Sequence, residues 1–159
     1  MSQKTAASVI DQYSIVHGMF NIQRKYPVPP ARVFFAFADK ATKRRWLIEG
    51  EGWEVYDFTS DFRVGGSDMS RFSFKGGPEI RNDTQFQDIV PDRRILFSYR
   101  MTVGTKPLSA SLVTVELVPS SGGTLMTYTE HGAYFDGADS AQGREEGTRQ
   151  LLEKLAEEL

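Results

Sequence analysis

The sequence predicts an α+β domain in which an antiparallel sheet packs on one long C-terminal helix. Two observations carry this expectation. After Gly52 the apolar residues recur with a period of two, in segments separated by short clusters of turn residues, and beyond Asp139 the period becomes helical. Spacers this short join antiparallel neighbours, because parallel strands need long crossovers.

The first strand is expected from Ser14 to Tyr26, where β-branched and aromatic residues alternate with polar ones until "PVPP" stops them. Pro30 suits the first turn of a helix, "PARVFFAFAD", whose Val33, Phe34 and Phe37 fall at helical spacing. Asp39 is placed to cap a second short helix, "KATKRRWL", with Lys43, Arg44 and Arg45 expected on a solvated face beside Trp46. Strands follow near Glu54 to Thr59, Ser67 to Lys75, Asn82 to Val90, Arg94 to Val103, Ser109 to Pro119 and Gly123 to Tyr134. Their separators "VGG", "KGGPE", "PDRR", "GTKP" and "SSGG" make the set a meander. In the closing helix, Asp139 with Gln142 forms a candidate capping box, and Thr148, Leu151, Leu152, Leu155 and Leu159 form one apolar stripe. That stripe requires a sheet to lie on.

Composition narrows the function classes. A chain of 159 residues with 40% hydrophobic and 12% aromatic content supports one domain with a substantial core. A net charge of −2 gives no basic field and argues against a nucleic-acid partner. The absence of cysteine excludes disulfides, thiolate metal sites and cysteine nucleophiles, and is compatible with a cytoplasmic location. No segment reads as a signal peptide or a membrane span. The two Gly-Gly pairs in "DFRVGGSDMSRFSFKGGPEI" match neither phosphate-loop nor dinucleotide-loop spacing, and they lie between alternating segments, so they read as turns.

Several motifs in order also carry a family resemblance. "PVPPARVFFAFADKATKRRWL", "DFRVGG", "IVPDRRILFSY", "SLVTVELVPSSGGTLMTYTEHGAYF" and "EEGTRQLLEKLAEEL" together resemble the activator of heat-shock-protein ATPase homologue family, within the START-like (SRPBCC) superfamily. The resemblance spans Ser14 to Leu159 as a single domain. It implies a helix-grip fold: a curved antiparallel sheet around the long C-terminal helix, with two short helices after the first strand and a cavity between sheet and helix. Many relatives resemble "EGW" in the last helix, whereas Gly147 here is followed by Thr148, so a bulky wall is missing. Residues 1–13 lie outside the resemblance and are expected to be a flexible lead, with "ASVIDQY" a candidate short helix.

Strand alternation nominates the cavity wall. Phe72 with Phe74, Phe97 with Tyr99 and Met101, Val113 with Val115 and Leu117, and Met126 with Tyr128 form the apolar faces, and all serve as core in any reading. With Phe86 and Trp46, the larger ones would wall a pocket for a small hydrophobic or aromatic molecule, a lipid or a metabolite. Glu130 continues the inward register of Met126 and Tyr128, so it either meets a polar end of the ligand, acts as a base, pairs with an arginine, or sits at the open end of its strand. His17 and His131 are isolated and make no metal site, and no nucleophile arrangement or organic cofactor is indicated. Arg63, Arg71 and Arg100 are weak candidates for an anionic ligand, since arginines on alternating strands are usually solvated.

Three functions fit these residues: hydrophobic ligand binding without metal or cofactor, a chaperone-interaction module acting on a heat-shock-protein ATPase, and a polyketide-cyclase-like enzyme using Glu130, Tyr99 or Tyr128 for proton transfer. The fold alone does not choose among them. A homodimer through an exposed sheet face or edge is a further expectation.

Overall fold

The computed structural model describes residues 13–159. The expected lead and the candidate helix in "ASVIDQY" therefore lie outside the described residues, apart from the exposed Tyr13. The elements run β1 (Ile15–Tyr26), α1 (Pro30–Ala38), α2 (Lys40–Leu47), β2 (Trp53–Ser60), β3 (Ser67–Phe74), β4 (Ile80–Val90), β5 (Arg94–Val103), β6 (Lys106–Ser120), β7 (Gly123–Phe135) and α3 (Ala141–Ala156).

All seven strands form one antiparallel sheet in the order β1-β7-β6-β5-β4-β3-β2. Strands β2 to β7 are the expected meander. β1 pairs with β7 at one edge while β2 occupies the other, so the chain must cross the whole sheet between them. The two short helices make that crossing. Pro30 opens α1, and Asp39 caps α2 by accepting from the Thr42 amide at 3.1 Å. Trp46 Nε1 donates to the Ala36 carbonyl at 2.8 Å, which locks the two helices at their elbow.

Two glycines explain motifs that were read from sequence only as turns. A Cβ on Gly66 would stand 2.2 Å from the Asp61 carbonyl oxygen, so only glycine permits the tight loop before β3. That loop then bonds to β4, Gly65 donating to the Phe86 carbonyl at 2.9 Å and the Phe86 amide to the Gly66 carbonyl at 3.0 Å. A Cβ on Gly123 would likewise stand 2.2 Å from the Tyr26 carbonyl. With that space kept open, Thr124 Oγ1 donates to the Val28 carbonyl at 2.7 Å and ties β7 to the end of β1.

The main core gathers Phe20, Ile22 and Tyr26 of β1, Val113, Val115 and Leu117 of β6, Met126 and Tyr128 of β7, and Leu152 and Leu155 of α3. Burying each large apolar side chain of this set stabilises the fold by about 1.5–3 kcal/mol. Tyr26 adds a directional tie, donating its hydroxyl to the Leu152 carbonyl at 3.0 Å.

The start of α3 departs from expectation. Ser140, not Asp139, is the cap, its hydroxyl accepting from the Gly143 amide at 3.1 Å. Asp139 is drawn away because its carboxylate accepts from the Arg144 guanidinium and from the Ser140 amide. The buried stripe of α3 is Arg144, Thr148, Leu152 and Leu155. Gly147 sits mid-helix, and an added Cβ there meets nothing within 4 Å. Gly147→Ala should therefore raise unfolding free energy by about 0.5–1 kcal/mol, readable as a later urea midpoint with an unchanged slope.

Candidate functional site

Apart from the Arg144 guanidinium, which reaches Tyr99 of β5, the inward faces of β3, β4 and β5 do not meet α3 closely. α3 packs on β1 and α2, and α1 packs on β6 and β7, so the far half of the sheet is left facing a space. That space is a cavity of about 500 Å³. Period-two alternation sends Phe72, Phe86, Phe97, Tyr99 and Met101 into it from three successive strands, and Trp46 closes it from α2. Edge-to-face contacts, with Phe62 against Phe86 at 4.9 Å and Phe86 against Phe97 at 6.2 Å between centroids, set the rings around the space rather than through it.

Of the residues nominated from sequence, Trp46, Phe72, Phe74, Phe86, Phe97, Tyr99, Met101 and Tyr128 lie on this wall. Phe74, at the end of β3, is 41% exposed and belongs to its rim rather than to the core. Val115, Met126 and Glu130 do not line the cavity: all three are fully buried. Val115 and Met126 belong to the core under the helices. Arg63 and Arg71 pair with Asp61 and Glu79 at the surface, and Arg100 is exposed. His17 and His131 are exposed on the outward face of β1 and β7.

The first polar group on the wall corrects an expectation. Lys43 is not solvated: it is 5% exposed, and its ammonium bonds Asp68 Oδ2 at 2.7 Å beneath the rings of Phe62 and Phe86. Ser60 donates to the other Asp68 oxygen at 2.7 Å. Burial pushes the Lys43 ammonium below its ordinary value, while the Asp68 charge and hydrogen bond work in the opposite direction. Nothing in "KATKRRWL" separates Lys43 from its neighbours except its position three residues before Trp46, on the same helical face.

The second polar group is a network built around Arg144. Its Nη1 donates to the Tyr99 hydroxyl at 2.6 Å, and Tyr99 donates in turn to Glu130 Oε2 at 2.7 Å. Arg144 Nη2 bonds Ser109 Oγ at 2.8 Å and Asp139 Oδ2 at 3.0 Å, and Nη1 stands 3.6 Å from Glu130. Glu130 is thus the carboxylate that pairs with an arginine, one of the alternatives its position left open. Burial pushes its carboxyl up, against the opposing effects of the Tyr99 hydroxyl, Ser111 and Arg144. The Tyr99 hydroxyl is raised well above its ordinary value, by burial first and then by the Glu130 charge. Stepping back four residues from Thr148 along the apolar stripe reaches Arg144, which is the signal that the sequence offered for it.

Chemically, the wall combines a broad aromatic surface with two buried ion-paired groups, Lys43 with Asp68 and Arg144 with Asp139 and Glu130, and with Lys154, whose ammonium donates to the Glu49 backbone carbonyl. Among the described residues, the Tyr99 hydroxyl is the wall group held between a buried acid and a guanidinium, a geometry suited to passing a proton. Thr148 and Gly147 face the cavity from α3 where a bulky side chain would narrow it.

Comparison with known proteins supplies the context. A family model described as Activator of Hsp90 ATPase homolog 1-like protein matches residues 27–159. The chain is similar to the solved Mll3558 protein from Rhizobium loti, with 65% identity over 92% of this chain and 99% of that one, at a TM-score of 0.85. It is also similar to a solved protein from Rhizobium leguminosarum, with 34% identity, 92% and 96% coverage, and a TM-score of 0.87. An AHSA1-like protein from Aeromonas hydrophila shares the fold at 17% identity, 89% and 91% coverage, and a TM-score of 0.68. No curated protein matches the sequence.

Proposed function

The chain belongs to the Activator of Hsp90 ATPase homolog 1-like family, and from that premise we propose that it binds a small hydrophobic or aromatic molecule in the cavity between β3–β5 and α3. The observation that carries this reading is the cavity itself: a volume of about 500 Å³ whose wall includes eleven aromatic side chains with a few polar groups among them is the shape and lining of a small-molecule site. A core of ordinary density leaves few voids larger than a water molecule, so a space of this size needs an explanation. Ligand contact falls in this reading to Trp46, Phe72, Phe74, Phe86, Phe97, Tyr99, Met101 and Tyr128, with Glu130 acting through Tyr99.

The test is to fill the space. Thr148→Trp places an indole where α3 faces the cavity, and should lower the affinity for any apolar ligand at least about tenfold at a stability cost of about 1–3 kcal/mol. Native mass spectrometry of protein purified from cell extract, then a thermal-shift screen of lipids and aromatic metabolites, identifies the ligand whose binding is compared. Undiminished binding in a folded Thr148→Trp variant would place the ligand elsewhere.

A second reading, proton-transfer catalysis on the bound molecule, draws support from the Tyr99 hydroxyl between Glu130 and Arg144. The family's name supports a third, an interaction with a heat-shock chaperone, which an ATPase-stimulation assay tests directly. The cysteine-free sequence suits a cytoplasmic protein, and the exposed Met19 and Leu112 on the outward sheet face suit a homodimer.

A further inference from the structure

Among the described residues, one cation on the cavity wall has no carboxylate partner. Lys43 pairs with Asp68 at 2.7 Å, and Arg144 with Asp139 at 3.0 Å and Glu130 at 3.6 Å. Lys154 of α3 also lines the cavity, but its ammonium donates to a neutral group, the Glu49 backbone carbonyl. The charges of Glu49 and Glu157 act on it only from beyond ion-pair distance, the Glu49 carboxylate being taken by Arg44 and Glu157 being exposed to water. An ammonium carries three donors and the carbonyl takes one, so donors remain for an incoming acceptor.

Lys154 stands where the cavity meets water. Gly143, Gly147, Gln150 and Lys154 follow one another at helical spacing along α3, and all four line the cavity. The first three are exposed, which makes this edge of the helix the mouth. The Lys154 ammonium is 3.5 Å from the place a Cβ would take on the exposed Gly50, and 5.7 Å from the centre of the Trp53 ring. Trp53 packs in turn on Phe74 at 4.8 Å and on Phe72 at 5.4 Å, so an aromatic path leads from the ammonium into the cavity. A carboxylate held at this mouth keeps part of its hydration while the apolar body attached to it enters the aromatic space; deeper in, it would meet cations that already have their anions. One ammonium also matches one negative charge, whereas a phosphate monoester brings nearly two and suits the fork of an arginine. Resting on the reading of the cavity as a small-molecule site, we propose that its ligand is an amphipathic monocarboxylic acid, its apolar body among the aromatic side chains and its carboxylate at the mouth on the Lys154 ammonium.

Two probes of one shape test this, biphenyl-4-carboxylate and the uncharged biphenyl-4-carboxamide, each titrated into the intact chain by calorimetry. The carboxylate should bind about fivefold more tightly, the advantage of one charge-assisted contact at a partly exposed site. In Lys154→Met that advantage should shrink to within about twofold, with the carboxamide bound as before. Should Lys154→Met fail to fold, Lys154→Gln removes the charge while keeping an N–H for the Glu49 carbonyl, and the comparison of the two probes on the parent chain needs no variant. In Thr148→Trp both probes should weaken together, since both bodies need the cavity. A carboxylate preference that survives the loss of the Lys154 charge, or a carboxylate that binds undiminished in Thr148→Trp, overturns the proposal. A carboxamide bound as tightly as the carboxylate sinks this inference alone, and binding of neither probe brings down the cavity reading with it.

Discussion

Arg144→Met should destabilise the protein by about 3–5 kcal/mol, because it removes the cation that pairs with Glu130 and Asp139 in a buried cluster and strands those anions. The two carboxylates do not share that cost equally. Asp139 is 22% exposed at its side chain and can turn to water, while Glu130 is fully buried and cannot. Glu130 already has its carboxyl raised by burial, with Arg144 pulling in the opposite direction, so losing Arg144 raises it further. The sign of the pH dependence follows. A carboxyl raised in the folded state makes the native protein bind more protons than the unfolded chain, so its favourable contribution is present at low pH and is lost as pH rises from 4.5 through the folded value. The deficit of Arg144→Met should therefore be larger at pH 8 than at pH 5. Urea unfolding at the two pH values measures it, and adding Glu130→Gln should recover part of the loss at pH 8. An equal deficit at both would assign the effect to lost packing around the guanidinium stem.

Asp68→Leu should cost a similar amount, about 3–5 kcal/mol, for the mirror-image reason: it leaves the Lys43 ammonium buried under Phe62 and Phe86 without its anion. Two aromatic faces offset part of this, but cation–π contacts of about 0.5–2 kcal/mol do not replace a bonded carboxylate. Here the titration runs the other way. Burial lowers the Lys43 ammonium and Asp68 opposes that, so without Asp68 it drops further below 10.5. The unfolded chain then binds more protons than the native one over the window between the folded value and 10.5, and the variant should gain stability as pH rises through that window. The double variant Lys43→Met/Asp68→Leu removes both charges and should recover most of the loss, since replacing a buried pair with apolar residues is often neutral or stabilising. A double-mutant cycle by thermal and urea unfolding gives the coupling. A coupling near zero would show that the pair does not hold α2 against β3.

The outcome for Lys43 shows where sequence reasoning stops. "KATKRRWL" offers three adjacent cations, and local chemistry treats them alike. Arg44 and Arg45 go to the surface with Glu49 and Glu158, while Lys43 goes inside, because helical geometry puts it on the Trp46 face and β3 brings Asp68 to meet it. Val115 and Met126 mark the reverse case. Their inward direction was legible, yet whether they face a cavity or a packed core depends on which strands the helices cover.

What the sequence determined by itself is therefore local and periodic. Alternation set the seven strands and their inward faces, prolines and the Asp39 cap set the two short helices, and the Thr148 to Leu155 stripe set the long one, because each is decided by backbone geometry within a few residues. Only the tertiary structure decided that half the sheet lies open beneath α3, that Lys43 and Arg144 are interior, and that Glu130 answers to Arg144 rather than to the cavity. Burial and pairing are properties of the space between elements distant in the chain, and a side chain's charge state and freedom to meet a ligand follow from that space.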